Sequence, residues 1–279
     1  MADVGTRKPD RSVGQASGRV IASGLTKRYV RKGQAPSCVV EDCSFTVEPG
    51  SLTVLMGTSG CGKSTLAYIL AGYIRPDSGT VTLDSKAVTG PGPDRLLVFQ
   101  ETALWPWMTV MENVLFGPSA TSSMESSEAR AKAEDLLRRF GLLDFRDKYP
   151  GQLSGGMKRR AELAQALINN PRLMILDEPF RGLDVMTREL MQEYYLQLFE
   201  ETRLTTLFIT SELEEAIFLA DRVLVMGGKP ANIVKSVDID LPHPRVFEVL
   251  TSERYLAIKK ELMDALYGEA ESNYVPVFS

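Results

Sequence analysis

The sequence predicts an α/β protein whose mostly parallel sheet is covered on both faces. Three observations carry that prediction. The apolar runs "LMILDEPF", "TTLFIT" and "RVLVM" read as short buried strands and alternate with helical stretches. A glycine-rich turn, "GTSGCGKST", joins the apolar run "LTVLM" to the helical "KSTLAYILAG". Between these regions, "EARAKAEDLLRRFGLL" sets Ala133, Leu136, Leu137 and Phe140 on one helical stripe that Gly141 brings to a stop, which marks a helical insert.

The elements follow in chain order. Residues 1–18, "MADVGTRKPDRSVGQASG", are rich in Gly, Ser and charge, and read as a disordered leader because they lack the apolar surface to order themselves. Residues 20–22, 45–47 and 52–56 read as strands, a helix begins near Lys63, and two further strands are expected at 80–83 and 96–99. The main unit is expected over residues 19–240, with its helical part at about 101–170. Residues 241–279 read as a short tail with one helix at 253–266. No internal repeat is visible.

With 279 residues, 44% of them apolar, the chain is long enough to bury a sizeable core. A net charge of −4 without a basic block argues against a nucleic-acid partner, and Lys158, Arg159 and Arg160 read as a solvated helix face. The three cysteines, Cys38, Cys43 and Cys61, show no paired spacing, which fits a reducing cytosol and indicates no zinc site. The apolar runs fall far short of the roughly 18 residues a membrane helix needs, and the polar N-terminus lacks a signal-peptide core. Any membrane role is therefore expected to come through another subunit.

The turn of residues 57–65 has the context that a phosphate-binding loop requires, strand before and helix after. Its glycines let the backbone N–H groups of Gly57, Thr58, Ser59, Gly60, Cys61, Gly62, Lys63, Ser64 and Thr65 curl toward one point, and the helix adds its positive end. Lys63 is placed to reach the β and γ phosphates of ATP, and the Ser64 hydroxyl to meet Mg²⁺. Downstream, "LMILDEP" delivers Asp177 and Glu178 at the carboxyl end of a strand, where ligands collect in open α/β sheets. Asp177 is then expected to hold hydrated Mg²⁺, and Glu178 to orient the attacking water and accept its proton.

"QLSGGMKRRAELAQAL", residues 152–167, makes the pattern specific. Ser154 is a good N-cap, and Gly155 and Gly156 leave the start of the next helix bare, so a second anion site is expected there. With this stretch, the phosphate loop, "LMILDE" and Gln100 in order, the chain resembles the ABC ATPases over about residues 20–240. The resemblance implies a P-loop NTPase core of mostly parallel sheet with an antiparallel β subdomain and a helical subdomain. It also implies a head-to-tail pair in which a partner's Ser154, Gly155 and Gly156 close over ATP. Tyr29 would stack on adenine, and Gln100 would sense the γ-phosphate through Mg²⁺ or water. "RGLD" matches the family's loop at Leu183 and Asp184, while Arg181 stands where a smaller residue is usual.

"GPGPDRLLVFQETALWPWMTVMENVLFG", residues 90–117, and "DIDLPHPR" resemble the import ATPases of the nitrate, sulfonate and taurine group. That branch implies a permease in the membrane, a second ATPase subunit, and indirectly an extracytoplasmic substrate-binding protein, with this chain on the cytoplasmic face. Trp105 and Trp107 read either as apolar anchors for a permease helix or as core. The alternative is a soluble or regulatory ABC-type ATPase; the absence of sustained heptads between the two motifs and of a basic stripe disfavours a soluble one acting on nucleic acid, and a regulatory module is one in which slow hydrolysis is the point.

One part of the family pattern is missing. The turn after "FIT" carries Ser211 where the family carries a histidine, and the chain's single histidine, His243, lies far beyond it in "LPHPR", expected at the surface. Loss of one preorganised donor costs about 2.7–4 kcal/mol, roughly 10²- to 10³-fold in rate. ATP binding is expected to survive with slow turnover, and a water held by Ser211 to recover part of the loss.

Overall fold

A computed structural model of the chain describes residues 17–30, 33 and 35–273. Residues 1–16 of the expected leader lie outside the described residues; Gly18, at its end, donates its backbone N–H to Asp84 at 2.8 Å.

The strands of the main sheet are β3 (Leu52–Gly57), β6 (Arg95–Val98), β7 (Leu173–Asp177), β8 (Thr205–Thr210), β9 (Arg222–Gly227) and β10 (Asn232–Asp238). They run in the order β10-β9-β3-β8-β7-β6, all parallel except the edge strand β10. Every residue of β3, β7 and β8 is buried, as expected of parallel strands covered on both faces. Side chains alternate between those faces. On one side Val54, Met56, Leu176 and Phe208 join a core cluster with Phe140, Phe180, Tyr195 and Phe218. On the other, Leu55, Ile175, Leu207 and Leu224 pack with Leu66, Ile69 and Leu70.

That second cluster is closed by an antiparallel sheet of order β2-β1-β4-β5, made by β1 (Val20–Tyr29), β2 (Ser37–Val47), β4 (Ser78–Leu83) and β5 (Lys86–Ala87). Between the two sheets lies α1 (Lys63–Ala71), whose Gly72 cap adopts φ 82°. The expected mixture of a mostly parallel sheet, an antiparallel layer and helices is thus what forms.

The helical insert contains α2 (Val110–Thr121), α3 (Ser126–Arg139) and α4 (Gly155–Leu167). A reciprocal cap starts α2: the Glu112 N–H donates to Thr109 Oγ1 at 3.2 Å and the Thr109 N–H to Glu112 Oε2 at 2.7 Å. In α3 the anticipated stripe of Ala133, Leu136 and Leu137 is buried, Phe140 follows at the cap, and Gly141 takes φ 62°. The first strand residue of β6 is Arg95 and its last is Val98, so Phe99, expected inside the strand, leaves it and packs against Tyr68 and Tyr73.

Beyond the insert, α5 (Val185–Thr202) and α6 (Leu213–Leu219) complete the cover. The tail helix α7 runs from Glu253 to Asn273, longer than expected, and buries Tyr255, Ile258 and Leu262 against the main core. His243 is at the surface, as expected, with Nδ1 2.5 Å from Glu200 and Nε2 3.3 Å from Asp221.

Candidate functional site

The glycine-rich turn leaves β3 at Gly57 and enters α1 at Lys63. Two glycines there have steric reasons. A Cβ on Gly57 would meet the Met226 carbonyl at 2.5 Å, and Gly62 combines φ 114° with a Cβ direction blocked by Val39 at 2.9 Å. Inside this bend Lys63 is 5% exposed and donates to the carbonyls of Gly57 at 2.8 Å and Thr58 at 3.1 Å. Curling the loop thus turns the lysine back under its own backbone.

The end of β7 lies beside it. Asp177 and Glu178 are 4% and 8% exposed. Burial pushes the Asp177 carboxyl up from the usual carboxylate range, partly opposed by a hydrogen bond from Ser64. A buried carboxylate paired with a serine hydroxyl is a hard-oxygen donor set that leaves further positions to phosphate and water, which suits Mg²⁺. Among the described residues no group of three or more His, Cys, Asp or Glu forms a metal cage.

Glu178 leaves the strand with φ 45°, its N–H donating to the Ile209 carbonyl at 2.9 Å. Its two oxygens are divided. Oε1 lies 3.7 Å from Lys63 Nζ, and Oε2 accepts from Arg181 Nη1 at 2.7 Å. A cavity of about 240 Å³ opens next to this carboxylate, lined by Ser59, Glu178, Arg181, Arg188, Thr210 and Ser211 among others. The structure therefore brings together Ser59, Lys63, Ser64, Asp177, Glu178 and Ser211, expected from the sequence to act jointly.

Other expected site residues stand apart. Ser154 caps α4 by accepting from the Met157 N–H at 3.3 Å, with Gly155 and Gly156 packed close to Leu183 and Thr187 at the start of α5. Tyr29 ends β1 at 39% exposure with Lys27 Nζ 5.7 Å from its ring centre. Gln100 is exposed just past β6.

Arg159, expected on a solvated face, is instead 5% exposed. It donates to Glu162 Oε2 at 2.5 Å and to the carbonyls of Phe99 at 2.8 Å and Gln100 at 2.7 Å, while Glu162 Oε1 accepts from the Ala103 N–H at 3.0 Å. Burial pulls the guanidinium's pKa down and pushes the carboxyl's up, each opposed by the other's charge. The "KRR" triplet hides this because its middle member faces inward; the Arg-x-x-Glu spacing, one helical turn, was the available signal. Trp105 and Trp107 are 37% and 66% exposed, with ring centres 5.2 Å apart, and Trp105 also meets Phe116. Phe116 lines a groove of about 470 Å³ together with Tyr73, Pro91, Leu96 and Phe99.

The profile of the ABC transporter family matches residues 40–181. The chain is 43% identical over 238 residues to the bicarbonate transport ATP-binding protein CmpD of Synechocystis sp., covering 84% of each chain. It is 40% identical over 237 residues to the nitrate import ATP-binding protein NrtD of Synechococcus elongatus, covering 84% of this chain and 86% of the relative. Among solved structures, the ATP-binding cassette MJ0796, a dimer in a post-hydrolysis state bound to ADP and Pi, superposes with a TM-score of 0.70 at 27% identity, over 80% of this chain and 100% of that one. The chain belongs to the ABC transporter family, as one of its ATP-binding, ATP-hydrolysing cassettes.

Proposed function

We propose that the chain powers a membrane importer of small anions, of the kind that carries nitrate, sulfonate, taurine or bicarbonate. The observation that carries this reading is the junction of Lys63, Asp177 and Glu178 at the ends of β3 and β7, in a chain at least 40% identical to a bicarbonate and a nitrate import protein. Residues 19–240 would act as the ATP-binding unit, with about residues 101–170 as its helical part and 241–279 as a short tail with one helix.

Within that unit, the loop from Gly57 to Thr65 wraps the phosphates with its N–H groups and the N-terminus of α1. Lys63, held against Glu178 before nucleotide arrives, turns to the β and γ oxygens. Ser64 and Asp177, with Gln100, would hold Mg²⁺, which supplies charge neutralisation on the phosphates. Glu178 orients the water and takes its proton, Tyr29 stacks on the base, and a partner's Ser154, Gly155 and Gly156 close the other side. The partner is a second copy or a related ATPase subunit.

Among the described residues no helix is long and apolar enough to cross a membrane, so coupling would run through permease subunits at the cytoplasmic face. The exposed Trp105 and Trp107 beside the Phe116 groove suit that contact, since aromatic anchors dominate interface energy. Affinity purification from membranes is expected to bring down permease subunits, and with an extracytoplasmic binding protein loaded with its anion, ATPase activity should rise. Isolation of the chain without any membrane protein, and no response to nitrate, sulfonate, taurine or bicarbonate systems, would overturn the importer reading.

Ser211 sets the pace. Its hydroxyl carries no charge and reaches less far than an imidazole, so the developing charge on the γ-phosphoryl group meets one donor fewer. Ser211→His is expected to raise kcat roughly 10- to 100-fold with little change in ATP affinity, read by steady-state phosphate release. Brisk turnover by the natural chain, left unmoved by this change, would count against the assignment.

A further inference from the structure

We propose that Arg181 is a positioning residue for hydrolysis: its guanidinium anchors one oxygen of the Glu178 carboxylate and leaves the other aimed at the attacking water. This rests on Glu178 acting as the general base.

The local chain builds the contact. Glu178 takes φ 45° as it leaves β7, the Arg181 N–H closes a turn on the Glu178 carbonyl at 3.2 Å, and Gly182 follows with φ 81°. That turn returns the arginine side chain onto the carboxylate three residues earlier, with Nη1 2.7 Å from Oε2. Oε1 is left on the Lys63 side, 3.7 Å from Nζ.

The two cations are not equivalent. Lys63 is buried among phosphate-loop carbonyls and is required by the incoming phosphates, so its hold on Oε1 ends when ATP binds. Arg181 lines the cavity shared by Ser59, Thr210 and Ser211, but its side chain is 57% exposed and lies outside the phosphate loop, so ATP entering that loop leaves its hold on Oε2 in place. The other guanidinium lining that cavity, Arg188, is engaged with the Leu183 carbonyl at 3.3 Å. Once Lys63 has turned away, Arg181 is the cation in contact with Glu178, and only Oε1 is open to a proton.

This matters more here than where an imidazole also orients the γ-phosphoryl group, because Ser211 supplies no such restraint. A carboxylate free to rotate about its last bond spends time out of line, and a misplacement of about 1 Å can cost about 10²-fold. Arg181 is exposed, and without nucleotide Lys63 stays beside the buried carboxylate, so the substitution should read out in turnover more than in folding.

The experiment uses the full-length chain and magnesium ATP. Arg181→Ala is expected to lower kcat about 10- to 100-fold with KM for ATP within about twofold and thermal unfolding unchanged. Arg181→Lys should recover part of the loss, since an ammonium keeps the charge but not the planar fork. In the Glu178→Gln background, light scattering should show the same ATP-dependent pairing with and without Arg181→Ala. Unchanged or raised kcat, a change confined to KM, or loss of pairing would each overturn the proposal; the last would place Arg181 at the subunit contact. If Glu178→Gln leaves hydrolysis intact, the base assignment fails first, and the anchoring role with it.

Discussion

Replacing Lys63 with alanine is expected to remove ATP binding as calorimetry detects it. The ammonium sits 5% exposed beneath the phosphate loop, bonded to the Gly57 and Thr58 carbonyls and 3.7 Å from Glu178. Its loss subtracts the one point charge inside the loop and leaves two carbonyls and a carboxylate facing an incoming polyanion. Truncating one partner of a buried charge pair costs about 2–5 kcal/mol, or roughly 30- to 4,000-fold in Kd. Titration of Lys63→Ala with magnesium and nucleotide should give no saturable heat, whereas the natural chain should give a clear isotherm. Equal heats from the two proteins would remove the foundation of the proposed mechanism.

Glu178→Gln is expected to separate binding from chemistry. Glutamine has the same shape and keeps one oxygen for Arg181, but it cannot take a proton from water. General-base catalysis contributes about 10²- to 10⁴-fold, so phosphate release should fall by that order. Nucleotide affinity should hold or improve, because a negative charge next to the γ-phosphate site has gone. Single-turnover phosphate release, paired with binding of a fluorescent nucleotide, reads both quantities. A variant that hydrolyses at the natural rate would assign the base elsewhere.

Much of the fold was legible because its strands announce themselves locally. "LTVLM", "LMILD" and "TTLFIT" are continuous apolar runs closed by turn residues, and each forms a wholly buried strand. Their order in the sheet was not legible, since nothing in a buried run says which neighbour it pairs with; β3 lies between β9 and β8, far from it in sequence. The phosphate loop was readable for a different reason: all its parts are contiguous, so spacing alone carries the geometry. The Glu178–Arg181 contact depends on a positive φ at a glutamate, which no propensity foretells. Arg159 was misread because a run of three cations looks like a wet surface, and burial of its middle member is decided by the carbonyls of Phe99 and Gln100, dozens of residues away. His243 lies at the surface as expected, but its partners Glu200 and Asp221 come from other elements and were not legible.

The Arg159 pair constrains motion as well as shape. Pulling the segment from Phe99 to Ala103 away from α4 would leave the pair itself whole, since both members lie on that helix, but would break the bonds from Arg159 to the Phe99 and Gln100 carbonyls and from the Ala103 N–H to Glu162, each a hydrogen bond to a charged group worth about 1.5–3 kcal/mol. The strip of chain carrying Gln100 is therefore tied to the helix that Ser154 caps, and the tie is made by two buried charges on that helix.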